Sequence, residues 1–361
     1  MNMDMNMDMD IDIELIEKQI LFFSKSDNNA NNNKSISKIC NYDFFSINEV
    51  KISEKIKKIP YYHNDYSIVE RCNFIKVGEM SERSRQLLKT VDSDTNNNKK
   101  YLLIEYNQEN CIKFTDFLFS FNTVKSFFFH VLDSYSTLLD IIIKLNHNDI
   151  CFFDLSCENI YIRKNNRPFL KNVNKSLLLY KLDESYISKI ITKINDYTCK
   201  PLEVYVLFYL IMNNEETLSY HFIETIVSFF IDNMNVLTLF TQSFKEKYKQ
   251  SCIDYLKKYI NQPKTFIISD LITYYDTWDN YSLSIIYLHI VGNIIRVFGL
   301  KENFMNSFLI LLTKNISPDP LKREKLEDSR KRYDILFNTF TDWKFINDLP
   351  SKKMKKLYEI L

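Results

Sequence analysis

The chain has 361 residues, and its 47 Lys and Arg residues nearly balance 46 Asp and Glu residues, which gives a formal charge of +1. This balance argues against a protein held on nucleic acid mainly by net charge. Apolar residues make up 45% and charged residues 26% of the chain, which excludes bulk disorder and allows two domains or one large two-part domain. Only three glycines occur, so a mechanism that needs a glycine-rich phosphate loop is disfavoured.

The cysteines and the apolar stretches bear on the compartment. Seven cysteines are scattered from Cys40 to Cys252 without a C-x-x-C pair, which favours free thiols in a reducing compartment over disulfides or a zinc site. Residues 1–12 lack the basic region and apolar core of a signal peptide, and we interpret them as a disordered tail. Polar residues interrupt the apolar stretch 284–300, which predicts a buried helix. We therefore expect a soluble intracellular protein.

Short apolar runs between polar segments characterise the first hundred residues. Their length and alternation predict strands at residues 19–23, 35–40, 66–77 and 101–106, with polar loops at 24–34 and 91–100. One helix is predicted among them, over residues 46–59. Apolar residues at helical spacing then predict helices over 116–146, 201–212, 220–259, 282–298 and 304–315. A small strand-rich part thus precedes a larger helical part.

The segment 145–176 carries the clearest chemical pattern. A predicted helix ends at its start, Asp154 follows a tight turn, and Asn159 comes five positions later. Two short strands are predicted next, at residues 160–163 and 169–171. An acid on a rigid loop that orients a hydroxyl, followed by an amide that binds a phosphate-bound metal, suits phosphoryl transfer. On the residues alone, the alternative is that both side chains only shape a turn.

This segment resembles the catalytic loop of eukaryotic-type protein kinases, with Phe152, Phe153 and Asp154 at its His-Arg-Asp and Asn159 at its asparagine. By the resemblance, Asp154 is the catalytic base. The pattern is most similar to the divergent serine/threonine kinases of large cytoplasmic DNA viruses, which implies action in the host cytoplasm. The resemblance implies an α+β, bilobal fold: a tail at 1–12, a β-rich lobe at 13–107, a mainly helical lobe at 108–345 with a helical insertion at about 204–275, and a C-terminal tail at 346–361.

The same resemblance implies an ATP site formed by the first part of the chain. Lys38 would contact the nucleotide phosphates, with Lys34 as the alternative lysine. Glu49, on the predicted helix, would pair with that lysine. Glu105 and Tyr106 end the strand that leads to the adenine position. The implied metal is Mg²⁺, with Mn²⁺ as an alternative, and its ligands would be Asn159 and Asn172.

Three further residues have a structural role by this resemblance. Glu203, in a Lys-Pro-Leu-Glu sequence, and Arg323 are expected to form a buried ion pair. Asp279, at the start of a long helix, is expected to hold the backbone of the catalytic loop. These expectations depend on contacts between segments that are far apart in the sequence.

Departures from the family pattern leave two functions open. No glycine precedes Lys38, two phenylalanines replace His-Arg, Ser156 stands where a phosphate-contacting lysine is usual, and Asn172 replaces the metal-binding aspartate. One hypothesis is a kinase of reduced activity that transfers the γ-phosphoryl group of ATP to Ser or Thr of a protein substrate. The other is an inactive pseudokinase that binds a regulatory protein partner. Neither hypothesis involves nucleic acid or a membrane.

Overall fold

The computed structural model describes residues 35–76, 100–107 and 109–361. In this part of the chain a small antiparallel sheet with one helix comes first and a mainly helical part follows, which confirms the predicted α+β class. The predicted features that lie outside the described residues are the tail 1–12, the strand 19–23, the loop 24–34 with Lys34, and residues 91–99 of the second loop.

The regular elements of the described residues are numbered in chain order. The strands are β1 (Ser35–Asn41), β2 (Arg71–Lys76), β3 (Lys100–Asn107), β4 (Cys111–Lys113), β5 (Ile150–Cys151), β6 (Ile160–Arg163), β7 (Pro168–Leu170) and β8 (Leu177–Leu178). The first helices are α1 (Phe44–Ile56), α2 (Phe114–Leu118), α3 (Val124–Asn146), α4 (Glu184–Ile191), α5 (Leu202–Met212) and α6 (Tyr220–Asn233). The later ones are α7 (Gln242–Leu256), α8 (Lys264–Ile272), α9 (Trp278–Phe298), α10 (Asn303–Asn315), α11 (Leu326–Thr339) and α12 (Lys353–Tyr358).

The first sheet places β3 between β1 and β2, and both strand pairs are antiparallel. Side chains alternate between the two faces of a strand. On one face Leu102 and Ile104 pack with Val50 of α1, and on the other face Tyr101 packs with Ile39. The helix α1 therefore covers one face of the sheet, and this packing fixes the position of α1 relative to β1 and β3.

Local capping and long-range bonds explain where the first elements begin and end. The helix predicted over 46–59 begins earlier, at Phe44, because the Asp43 side chain accepts a hydrogen bond from the Ser46 backbone at 2.9 Å. Of the described residues in the strand predicted over 66–77, only β2 is strand. The Ser67 backbone instead donates to the Leu170 carbonyl at 2.9 Å, which ties this segment to β7.

Two helices predicted as continuous are interrupted. The helix predicted over 116–146 forms α2 and α3, and the one predicted over 220–259 forms α6, a 3₁₀ turn and α7. In both cases a threonine side chain, Thr123 or Thr241, caps the second helix by accepting a backbone hydrogen bond. Such a cap competes with helix continuation, and an apolar pattern alone does not reveal it.

Two long apolar helices form the centre of the helical part. By length and composition alone, Val124–Asn146 and Tyr275–Phe298 could cross a membrane, but 56% and 83% of their most apolar windows are buried inside the protein. The second of these contains α9 and agrees with the buried helix predicted over 284–300. Burial of this extent is typical of core helices.

The last part of the chain packs against the helical core. Met354 and Leu357 of α12 are buried, and the Tyr358 hydroxyl donates to the Phe121 carbonyl at 2.8 Å. The segment 346–361, which we expected to be a tail, therefore contains a folded helix.

Candidate functional site

A cavity of about 450 Å³ lies between the first sheet with α1 and the loops that flank β6 and β7. Residues from both parts of the chain line it. Among the predicted site residues the cavity brings together Lys38, Glu49, Tyr106, Asp154, Asn159 and Asn172. Glu105 does not line it. Because side chains alternate along β3, Glu105 points to the face opposite Tyr106, so its side chain is not part of this site.

The loop that carries Asp154 is held by a buried carboxylate. Asp279 Oδ2 accepts a hydrogen bond from the Phe152 backbone at 2.6 Å, and its Oδ1 accepts one from the Phe153 backbone at 2.7 Å. Both phenylalanines are buried, and the ring of Phe153 packs 5.6 Å from that of Trp278. The expected role of Asp279 as an anchor of this backbone is confirmed.

Phe153 adopts a left-handed backbone conformation, with φ of 63°. This region is unfavourable for a bulky side chain and costs about 1–3 kcal/mol. The surrounding contacts maintain it: the Asp279 carboxylate holds the amide, and Lys200 Nζ donates to the carbonyl. The turn directs the next residue, Asp154, into the cavity.

Two lysines hold the carboxylate of Asp154. Lys200 Nζ lies 3.1 Å from Oδ1, and Lys175 Nζ lies 3.2 Å from Oδ2. Burial disfavours the ionised form of Asp154, but the two ammonium groups outweigh burial and hold its pKa below the ordinary value. Lys200 is only 2% exposed, so this is a partly desolvated cluster. Sequence reasoning missed both lysines, because Lys175 and Lys200 come 21 and 46 residues after Asp154.

The two predicted metal ligands bind each other. Asn159 Nδ2 donates to the Asp154 carbonyl at 2.7 Å, and Asn172 Nδ2 donates to Asn159 Oδ1 at 2.8 Å. Asn172 adopts a left-handed conformation with φ of 64°, which asparagine tolerates. These bonds join the two loops on either side of β6 and β7.

This arrangement does not fit the expected Mg²⁺ site. Mg²⁺ prefers a set of oxygen ligands that includes carboxylates. Here Asn159 Oδ1 already accepts from Asn172, and both oxygens of Asp154 face lysines. Within the described residues no group of three or more His, Cys, Asp or Glu side chains is placed to hold a metal ion.

Glu49 contacts a phenol instead of the predicted lysine. Its Oε1 accepts a hydrogen bond from the Tyr106 hydroxyl at 2.7 Å, and the residue is 7% exposed. Burial raises the pKa of Glu49, and the Tyr106 hydrogen bond and the charge of Lys38 offset this only in part. No ion pair joins Glu49 to the exposed Lys38 in the described structure, so the predicted contact is corrected. Tyr106 lies on the same face of the sheet as Lys38, and its hydroxyl forms the hydrogen bond to the Glu49 carboxylate.

Replacing Tyr106 with phenylalanine should destabilise the protein by about 1–3 kcal/mol near pH 8, because a buried carboxylate loses its donor. The folded-state pKa of Glu49 is already raised and should rise further in the variant. At about pH 5 the Glu49 carboxyl is therefore protonated to a greater extent in the folded variant than in the unfolded chain, which stabilises the folded state. The loss in free energy of unfolding should thus be smaller at about pH 5 than near pH 8. Urea denaturation at both pH values measures it.

The control for this variant is Tyr180→Phe. Tyr180 is 66% exposed, so removal of its hydroxyl should change the free energy of unfolding little at either pH. An equal loss for Tyr106→Phe at both pH values would show that Glu49 is not the group that responds.

A third acidic residue, Glu109, lines the cavity and was not predicted. Glu109 Oε1 accepts from Arg163 at 3.0 Å, while its Oε2 is buried without a hydrogen-bond partner in the described structure. Burial raises the pKa of Glu109, and Arg163 counteracts it. Nearby, Lys171 Nζ lies 4.3 Å from the centroid of the Tyr161 ring and 3.2 Å from Cys111 Sγ. The signal for Glu109 in the sequence was its position two residues after the end of β3.

The ion pair expected between Glu203 and Arg323 is present. Two parallel bonds of 2.7 Å join the guanidinium to the carboxylate, and the side chains are 0% and 1% exposed. The pair ties the start of α5 to the turn before α11.

Comparison of the chain with protein-family models finds no match, and comparison with curated proteins finds none.

Proposed function

We propose that this chain has a bilobal protein-kinase-like fold, binds ATP in the cavity and transfers the γ-phosphoryl group to Ser or Thr of a protein substrate. The observation that carries the proposal is the convergence of Lys38, Glu49, Asp154 and Asn159 on one cavity. Each of these residues comes from the segment in which the kinase resemblance requires it. Lys38 lies on β1, the strand that precedes the helix carrying Glu49, as the resemblance implies.

The proposed lobes are those expected from the sequence. The small lobe is 13–107 and the large lobe is 108–345, and α6, α7 and α8 lie in the proposed insertion at about 204–275. The cavity then lies where the two lobes meet, which suits a site that holds a nucleotide on one side and a protein hydroxyl on the other. The near-neutral charge and the reduced thiols agree with an intracellular protein that acts on other proteins.

In the proposed reaction Asp154 orients the attacking hydroxyl. The hydroxyl oxygen forms a bond to the γ-phosphorus, the bond to the β–γ bridging oxygen breaks, and ADP leaves with that electron pair. The hydroxyl proton passes to Asp154, which its two lysines keep ionised beforehand. The same lysines weaken Asp154 as a base, so we expect a slow reaction.

Substitution of Asp154 by asparagine tests this function. With γ-labelled ATP and a panel of proteins as substrates, Asp154→Asn should lower phosphate incorporation about a hundredfold or more. Asp149→Asn is the matched control, because it makes the same chemical change at a 69% exposed position five residues earlier and should leave incorporation unchanged. Equal incorporation by the wild type and Asp154→Asn would refute catalysis.

A pseudokinase is the second candidate function, and two observations favour it. Asn172 supplies no carboxylate, and Asp154 is occupied by lysines from two segments. This candidate predicts that ATP stabilises the chain in thermal melts, by about 2.7 kcal/mol at a hundred times its Kd, while no phosphate is transferred to any substrate. Because both candidates bind ATP, the transfer assay is the experiment that separates them.

A further inference from the structure

Lysine side chains provide the positive charge of the cavity wall. Lys38, Lys171 and Lys175 all line the cavity. Of the carboxylates that line it, Glu49 is buried and accepts from the Tyr106 hydroxyl, whereas Glu109 is 12% exposed and accepts from Arg163. Within the described residues neither carboxylate forms an ion pair with one of these three lysines.

The remaining carboxylate, Asp154, is paired with two lysines. Lys175 and Lys200 supply two ammonium groups at 3.2 and 3.1 Å, against one carboxylate. Lys200 is buried behind Asp154, whereas Lys175 lines the cavity. An ammonium group has three N–H donors, and Lys175 uses one on Asp154, so it can donate to an anion in the cavity as well.

The position beside the Asp154 carboxylate thus suits an anion better than a divalent cation. Lys175 Nζ already takes the position beside Asp154 Oδ2 that a metal ion would need. Asn172 and Asn159 bring no negative charge, and their bond to each other uses the oxygen of Asn159. A second positive ion beside Asp154 would be repelled by the ammonium groups of Lys175 and Lys200.

We propose that the cavity holds the phosphate groups of a nucleoside triphosphate through lysine cations, chiefly Lys175 and Lys38, so that binding needs no divalent metal ion. This inference rests on the proposed function, because it takes ATP as the ligand of the cavity. Lysine binds phosphate as a point charge and needs no fixed bidentate geometry, which suits two side chains that keep exposed donors. The inference holds for both the kinase and the pseudokinase candidates.

The test measures ATP binding by the full-length chain with EDTA and with Mg²⁺, by calorimetry, and adenosine binding as a reference without phosphates. The wild type should bind ATP with Kd values that differ by less than about threefold between the two conditions. Lys175→Gln should weaken ATP binding in EDTA by about tenfold to a hundredfold and leave adenosine binding unchanged. Lys247→Gln, on the exposed surface of α7, is the matched control and should bind ATP as the wild type does.

A second variant tests the inference in the opposite direction. Asn172→Asp adds a carboxylate beside Asn159 and should create a site that needs a metal ion. We expect its ATP affinity in EDTA to fall about tenfold or more and to recover when Mg²⁺ is added. Because this variant gains a dependence on metal, a general folding defect does not reproduce the result.

The outcomes separate the inference from the proposed function. Wild-type binding of ATP that is at least about tenfold weaker in EDTA than in Mg²⁺ would overturn the inference and leave the proposed function standing. Equal ATP affinities of the wild type and Lys175→Gln in EDTA would overturn the role of this lysine. No binding of ATP or adenosine under either condition would overturn the proposed function, and the inference with it.

Discussion

Replacing Glu203 with leucine is expected to lower the free energy of unfolding by about 3–5 kcal/mol, because it leaves a buried guanidinium without its counter-ion. Arg323 is 1% exposed and cannot turn to water. Its other bonds, to the Ser317 carbonyl at 2.8 Å and the Thr277 hydroxyl at 3.0 Å, are to neutral groups and do not compensate the charge. Arg323→Met should cost a similar amount, since it leaves the Glu203 carboxylate buried. Urea denaturation measures both losses.

The double variant separates the two charges from the packing around them. With both residues replaced, no uncompensated charge remains, so the loss should be smaller than that of either single variant. Asp254→Asn is a surface control, because its ion pair with Lys257 is about half exposed and should contribute little. Additive losses in the double variant would show that the two side chains stabilise the fold independently.

Local patterns were sufficient to predict much of the secondary structure. Apolar runs bounded by polar residues located β1 and β3, and helical spacing located α5, α9 and α10. The same spacing did not reveal the breaks before α3 and α7. A threonine cap decides each break, and threonine also occurs inside helices, so its hydrogen bond can be recognised only in the structure.

The alternation of side chains along β3 was predictable from the sequence, but we still expected both Glu105 and Tyr106 in the site. Alternation along β3 requires Glu105 and Tyr106 to point in opposite directions, so a single cavity cannot receive both side chains. The contact of Tyr106 with Glu49 has no such local signal, because it joins residues that are 57 positions apart. The family resemblance predicted a lysine as the partner of Glu49. In this chain the Tyr106 hydroxyl is that partner.

The charge of the site was the least predictable feature. Asp154 and Asn159 were recognised from their spacing, but Lys175 and Lys200 reach Asp154 from 21 and 46 residues away. Neither lysine belongs to a local motif that involves Asp154, and each would be read as a solvated side chain. Lys200 nevertheless lies three residues before Glu203, so the ion pair that fixes Glu203 also holds this lysine close to the loop.

The second large effect is expected at Asp279, which anchors the loop that carries Asp154. Asp279→Ala should lower the free energy of unfolding by about 3 kcal/mol or more, because it leaves the buried N–H groups of Phe152 and Phe153 without acceptors. It also removes a contact that maintains the left-handed backbone of Phe153. We therefore expect a displaced Asp154, loss of phosphate transfer and a smaller thermal shift with ATP.

Asp279→Asn should fall between Asp279→Ala and the wild type. Its amide oxygen can accept from one of the two backbone N–H groups, whereas its amide nitrogen meets the other N–H group as a second donor. Asp140→Ala is the control on another long helix: the Asp140 carboxylate is 44% exposed and forms an ion pair with Arg330 at 2.7 Å, so its loss should be small. Asp279→Ala that is as stable as Asp140→Ala would contradict the anchoring role. Loss of transfer in Asp279→Asn while most of the stability remains would show that the carboxylate positions the loop beyond its contribution to folding.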